Sequence, residues 1–131
     1  MEFFTQEWVE ALAKKWNADS EMVQPLVEAD FSALIAFGYP AEAQPRVMLK
    51  VVNGKVTRAG LVSKAVQLSA LDWDLRALPE QWLMWRTKPL TLSNLGVAVQ
   101  NGLVTFKAGD YRKMIRTPSL ANPFLRFFNL L

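Results

Sequence analysis

The sequence predicts an α+β domain: a small sheet accompanied by more apolar helix than it needs to cover itself. Three observations lead there. Trp8, Leu12 and Trp16 recur at i, i+4 and i+8, which is one face of an amphipathic helix. The stretch PRVMLKVVNGKVTRAGLV (45–62) reads as a strand hairpin around Asn53-Gly54. From Pro79 onward, PEQWLMWRTKPLTLSNLGVAVQNGLVTFKAGDYRKMIRTPSLANPFLRFFNLL carries two Trp-rich or apolar helical stretches, a short strand and an almost wholly apolar end. A surplus of this kind suggests a protein that encloses something apolar.

Taken in order, Thr5 is placed to cap a helix over 6–17, with Glu7 in the first turn where the helix dipole favours an anion. Asp19 or Ser20 opens a second, shorter helix through Met22, Val23, Leu26 and Val27, kinked or cut short by Pro25. The run FSALIAFGY (31–39) is a compact apolar strand, closed by Gly38 and Pro40. Val47, Leu49 and Val51 then alternate on one face of the hairpin, whose return strand runs from Lys55 to about Val62.

A fourth strand is expected over 65–76. Val66, Leu68 and Ala70 alternate on even numbers, but Leu71, Trp73 and Leu75 on odd ones, so a bulge or bend is expected near Ala70. Pro79 starts the next helix, and Lys88-Pro89 ends it. Another helix spans about 91–100, with Asn101-Gly102 as its stop, and LVTFKA (103–108) is the fifth strand. Gly109 turns the chain and Asp110 caps a helix over Tyr111 to Arg116; Pro118 opens the last helix.

Composition narrows the function classes. A length of 131 residues fits a single domain, 1–131, and 51% hydrophobic residues argue against disorder. No apolar run is long enough for a transmembrane helix, and the acidic opening MEFFTQEWVEA reads as a helix start and not a secretory signal. Cysteine and histidine are both absent, which removes disulfides, Ser-His and Cys-His nucleophile pairs, and metal sites built on those ligands. Lacking Cys, the chain fits a reducing cytoplasm. No P-loop or dinucleotide fingerprint is present, so neither a metal nor a cofactor is implied. Asp72 and Asp74 lie two apart on a strand's polar side, and read as solvated acids before they read as an acid–base pair.

Charge is unevenly distributed. Residues 1–42 hold two Lys against eight acids, or −6, whereas 43–102 sum to +5 and 103–131 to +4. An acidic first helix packed near a basic second half accounts for this. So does attraction of Arg112, Lys113 and Arg116 to a lipid headgroup or membrane surface, against the simpler reading of a solvated helix face. No dense basic run or nucleic-acid motif is present.

Three patterns together resemble the sterol-carrier-protein-2-like family in its small stand-alone bacterial form. They are FFTQEWVEALAKKWNAD (3–19), with its Glu-Trp pair and Asn-Ala-Asp close; VQLSALDWDLRALPEQW (66–82), a strand leading to a helix with Trp; and NGLVTFKAGDYRKMIRTPSLANPF (101–124), a turn glycine, an apolar-basic strand, Gly-Asp and a helix. The passage 71–79 is longer or differently shaped than the family's.

The resemblance implies an α/β sandwich, with a five-stranded, mostly antiparallel sheet and helices packed on one face. It also implies a tunnel between them for fatty acyl chains, phospholipids, isoprenoids or sterol-like lipids. By element, the lining is expected from Trp82, Trp85, Leu92, Leu95 and Val99 on the middle helices and Phe106 on the last strand. Met114, Ile115, Phe124, Phe127 and Phe128 on the final helices complete it, with 118–131 as a lid. Against this, Trp82 and Trp85 equally read as plain core, and the terminal Phe residues as helix docking or a dimer patch.

The expected function is a cytoplasmic, non-catalytic carrier of one apolar lipid, in transient contact with a membrane surface and with no nucleic-acid partner. Three alternatives stay open. One is an accessory subunit, with an enzyme partner or as a homodimer, that presents a hydrophobic biosynthetic intermediate such as a quinone precursor. Another is an enzyme using Lys or carboxylate chemistry. The third is a structural module without ligand, which a structure lacking a pocket beneath 82–99 would favour.

Overall fold

A computed structural model describes residues 2–63 and 68–131. Helix α1 (Gln6–Ala18) is capped by Thr5, whose side chain accepts from the Trp8 N–H at 3.1 Å. Its buried stripe is Trp8, Val9, Leu12 and Trp16. Asp19 both ends α1 and caps α2 (Ser20–Glu28), accepting from the Glu21 N–H at 3.0 Å. Pro25 sits inside α2, and Met22 and Leu26 face inward.

The sheet follows: β1 (Ala33–Gly38), β2 (Val47–Val52), β3 (Lys55–Leu61), β4 (Trp73–Arg76) and β5 (Thr105–Ala108), in the spatial order β3-β2-β1-β4-β5. Among the described residues only the β1–β4 pair is parallel; the others are antiparallel. Asn53 and Gly54 both have positive φ, 48° and 85°, as the tight turn between β2 and β3 demands.

The register puts Ile35 opposite Leu49 and Trp73, and Phe37 opposite Val47 and Leu75. This odd-numbered face is buried beneath helices, with α1 lying along β3 and β2. The even-numbered face exposes Lys50 and Val52. Alternation therefore sorts β2 into a covered and an open side, whereas on β1 and β4 the even-numbered Ala36, Asp74 and Arg76 are buried as well.

Between β3 and β4 the structure departs from the expected long fourth strand. Leu68–Ala70 form a 3-10 turn, and β4 is confined to Trp73–Arg76, while Val66 lies outside the described residues. The expected irregularity near Ala70 is thus a turn, and the register shift falls at Asp74/Leu75, where β4 pairs β5.

Asp74 is not a solvated acid. It is 4% exposed and grips the 1%-exposed Arg76, with Nε donating to Oδ1 at 2.6 Å and Nη2 donating to Oδ2 at 2.9 Å. Arg76 Nη1 also donates to the carbonyls of Tyr39 and Glu42, tying down the 39–46 loop. Asp72 is occupied separately, accepting from the Leu34 N–H at 2.8 Å.

Helices α3 (Pro79–Thr87) and α4 (Leu92–Gln100) precede β5, which starts two residues later than the alternation predicts. Gly109 then lies against the Trp73 ring, and Asp110 caps α5 (Tyr111–Ile115) by accepting from the Lys113 N–H at 3.0 Å. Helix α6 (Pro118–Phe127) closes the chain, packed beside α2.

Candidate functional site

Between the covered face of the sheet and helices α2, α5 and α6 lies an apolar cavity of about 60 Å³. The sheet supplies Ile35, Phe37, Trp73 and Leu75, all on the odd-numbered face. Trp16 comes from α1, and Met22 and Leu26 come from successive turns of α2, followed by Phe31. Met114 reaches in from α5. The α6 contribution is Leu120, Pro123, Phe124 and Phe127, the i, i+3, i+4, i+7 stripe of one helix face.

The Trp16 indole N–H donates to the Gly54 carbonyl at 3.0 Å. Among the described residues no carboxylate, lysine or arginine lines the cavity. Such a site offers desolvation and dispersion but no proton transfer or nucleophile, so it is suited to holding hydrocarbon. A space of this size admits roughly four to six water-sized groups, a short piece of a chain. Seating a longer ligand requires its walls to part.

The expected lining residues divide into groups. Met114, Phe124 and Phe127 stand in the cavity wall. Phe106 stands behind it, 5.7 Å from the Phe124 ring and 6.2 Å from Trp73. Phe128 is buried against Phe124 and Phe127, at 5.5 and 5.2 Å, and Ile115 is partly buried against the core.

None of residues 82–99 lines this cavity. Trp82 is fully buried, donating its indole N–H to the Gly38 carbonyl at 3.1 Å and meeting Phe4, Phe37 and Trp85 edge-on. Trp85 meets Phe128 edge-on at 5.4 Å, Leu95 is buried, and Val99 packs at the core's edge. Leu92 is 61% exposed. Part of the aromatic surplus therefore fills the protein's own interior.

The other lining residues, from Trp16 through Leu75 and Leu120 and Pro123, were legible only as buried faces. Periodicity marks which side of an element avoids water. It does not say whether that side meets another side chain or a void.

A second cleft, of about 250 Å³, lies between α1 and the chain end. It is lined by Trp8, Ala11, Leu12, Leu130 and Leu131, with Lys15 and Arg86 among them. Arg86 stacks over the Phe3 ring at 3.8 Å, and Lys15 donates to the Leu130 carbonyl at 3.4 Å.

Across α2 and α6, the helices that flank the apolar cavity, Arg126 Nε donates to Asp19 Oδ2 at 2.6 Å, and Nη1 lies 3.3 Å from Glu21. The hydrogen bond from Arg126 to Asp19 raises the Arg126 pKa further, so the guanidinium stays charged. Among the described residues no cluster of acids is arranged to hold a metal ion, and no helix is long and apolar enough to cross a membrane.

The element order, the mixed five-stranded sheet and the cavity beneath its helices define a sterol-carrier-protein-2-like fold. Sterol carrier protein 2 itself matches with a TM-score of 0.71 at 18% identity, covering 98% of this chain and 96% of that one. A conserved hypothetical protein of Thermus thermophilus, described as a candidate sterol carrier protein, matches at TM-score 0.64 and 21% identity, over 98% of this chain and 88% of its own. UbiJ-SCP2, described as a ubiquinone synthesis protein, matches at 0.61 and 11%, over 99% and 94%. No family model and no curated protein matches the sequence. At these identities the likeness is one of fold.

Proposed function

We propose that this chain is a non-catalytic carrier that takes up the hydrocarbon part of one apolar lipid between its sheet and helices α2, α5 and α6. The observation that carries the reading is the wall of that cavity, made of apolar side chains from six elements and the Phe31 turn, with no group able to react. Binding would come from removing hydrocarbon from water, about 25 cal/mol per Å² before the costs of association. Met22 and Met114 are unbranched and polarizable, so the same wall can fit several chain shapes. A fatty acyl or isoprenoid chain suits this lining better than a ligand with many polar groups.

The size of the cavity supports a loading step in which α6 yields. Four of its lining residues belong to α6, which packs beside α2 and is joined to it by one partly exposed ion-pair cluster. A second reading, in which the chain presents a quinone precursor to a partner enzyme, is favoured by the fold shared with UbiJ-SCP2.

Native mass spectrometry of the purified protein, followed by organic extraction of any adduct, tests the proposal. One stoichiometric lipid class is expected. A clean protein mass, together with failure to bind added acyl chains and quinones, would overturn the carrier reading in favour of a structural module. Co-purification of a quinone precursor with partner enzymes would select the second reading.

A further inference from the structure

The stretch 89–106 contains no charged residue, yet much of it lies on the surface. On α4, Leu92 is 61% and Val97 56% exposed, and the remaining outward positions are Ser93, Asn94, Gly96 and Gln100. A soluble surface helix normally carries charge on that side.

Its neighbour α5 supplies what α4 lacks. A Cβ placed on Gly96 would lie 3.9 Å from the Tyr111 hydroxyl, so α4 runs beside the start of α5. Arg112, Lys113 and Arg116 are exposed there, and Lys88 and Lys107 bracket the uncharged stretch. Among the described residues none of these five cations is in a salt bridge. By contrast, Arg46, Arg76 and Arg126 are each paired with an acid.

Cations are also exposed at the opposite edge of the sheet, Lys50, Lys55 and Arg58 on β2 and β3, where the neighbouring helix α1 balances two acids with two lysines. Charge alone therefore does not single out the β5 end; the uncharged, apolar surface of α4 beside the cations does.

We propose that α4 and α5 form a docking face for an anionic lipid bilayer, with Leu92 and Val97 entering the headgroup layer and Arg112, Lys113 and Arg116 meeting lipid phosphates. Apolar insertion and a cationic patch together make up the two weak signals that peripheral membrane binding requires. The other side of α5 gives a reason for the placement: Met114 lies in the cavity wall, one residue from Lys113. Docking thus brings a wall of the cavity to the bilayer, where an apolar cargo can pass without crossing water. This purpose rests on the carrier reading, whereas docking is measured without cargo.

The test is co-sedimentation of the full chain with vesicles of phosphatidylcholine alone and of phosphatidylcholine with phosphatidylglycerol. Binding is expected only to the anionic vesicles, weakening as NaCl rises from about 0.1 M to about 0.5 M. Reversing charge in R112E/K113E/R116E is expected to lower affinity by at least about 100-fold, since each cation near such a surface contributes roughly fivefold. The control K50E/K55E/R58E makes the same net charge change on exposed positions of the β2–β3 hairpin, and is expected to stay within a few-fold of the parent.

Single variants R112Q and R116Q guard against misfolding of the triple, and should each weaken binding about fivefold. L92S/V97S should weaken it without changing the salt dependence. Equal loss in both triple variants, or no binding to anionic vesicles, overturns the proposal; the latter result would leave the face to a protein partner. Binding of a fluorescent acyl probe, followed on the same variants, reports on the carrier reading separately.

Discussion

Arg126, near the end of α6, donates its Nε to the carboxylate of Asp19, the residue that caps α2, across 107 positions of sequence. The two helices it joins supply six of the residues around the apolar cavity: Met22, Leu26, Leu120, Pro123, Phe124 and Phe127. Glu21 lies 3.3 Å from the same guanidinium, so one side chain bridges the start of α2.

Removing that bridge should loosen α6 without unfolding the sheet. In Arg126→Ala, amide exchange in α6 is expected to speed up about two- to fivefold, the range for a partly exposed ion pair, with the β1 and β2 amides unchanged. Native-state hydrogen exchange reads this directly. Equal acceleration throughout would mean that α6 opens only with the whole domain.

Filling the cavity should block ligand without emptying the core. Met22→Trp places a larger side chain into the wall between α2 and the sheet. Occluding two methylenes' worth of space costs an acyl ligand about 1.6 kcal/mol, roughly tenfold to twentyfold in affinity. Titration with a fluorescent fatty acid measures the loss, and a thermal melt reports any overpacking. Phe127→Ala acts the other way. It removes a ring stacked at 4.7 Å on Phe37 and should cost about 3–5 kcal/mol in urea unfolding.

The buried Asp74–Arg76 pair is a point of greater sensitivity. Replacing Arg76 by Met leaves the Asp74 carboxylate buried and unpaired and strips the carbonyls of Tyr39 and Glu42 of their donor. A loss of about 3–5 kcal/mol is expected, and a double variant D74V/R76M should recover part of it, because the unpaired charge is gone while the two carbonyls still lack their donor. Urea denaturation of the two variants decides.

Close by, Glu42 and Arg46 form an exposed pair at 2.6 Å, and the hydrogen bond from Arg46 holds the Glu42 carboxyl below its ordinary range. A depressed carboxyl pKa contributes stability above the unfolded value and loses it as pH falls through the folded one. Half-exposed side chains limit the effect, so Glu42→Gln should cost no more than about 1 kcal/mol at neutral pH. The difference from the parent should vanish in acid, as measured by unfolding across that pH range.

Gly54 tests how tightly α2 is seated. A Cβ there would lie 2.7 Å from the Val27 nitrogen and 3.0 Å from the Leu26 carbonyl carbon, both backbone atoms of α2. At Gly102, φ is 73° but nothing stands within 4 Å. Gly102→Ala should therefore cost about 1 kcal/mol, from backbone conformation alone. Gly54→Ala should cost clearly more, because α2 must move. Thermal melts of both variants provide the comparison.

How far the sequence carries can be judged element by element. Thr5, Asp110 and Asn53-Gly54 announced their cap or turn through local chemistry, and local chemistry acts whatever the rest of the chain does. The alternation of Val47, Leu49 and Val51, and the helical spacing of Trp8, Leu12 and Trp16, marked the faces that avoid water. The passage between β3 and β4 was less legible. Val66, Leu68 and Ala70 alternate like a strand, but Leu68–Ala70 form a 3-10 turn, because a two-fold pattern over a few residues does not ensure a pairing partner.

What the sequence determined by itself was therefore the set of elements, their buried faces, and the lack of any His or Cys chemistry. Only the tertiary structure decided where an aromatic becomes core and where it borders a void. Trp82 and Phe127 are equally buried in character, yet Trp82 closes on Phe4, Phe37 and Trp85 while Phe127 stands at the cavity. That distinction rests on how α2, α5 and α6 meet the sheet. Hydrophobicity drives both side chains out of water with the same force, and the packing angles of distant segments determine what each one meets there.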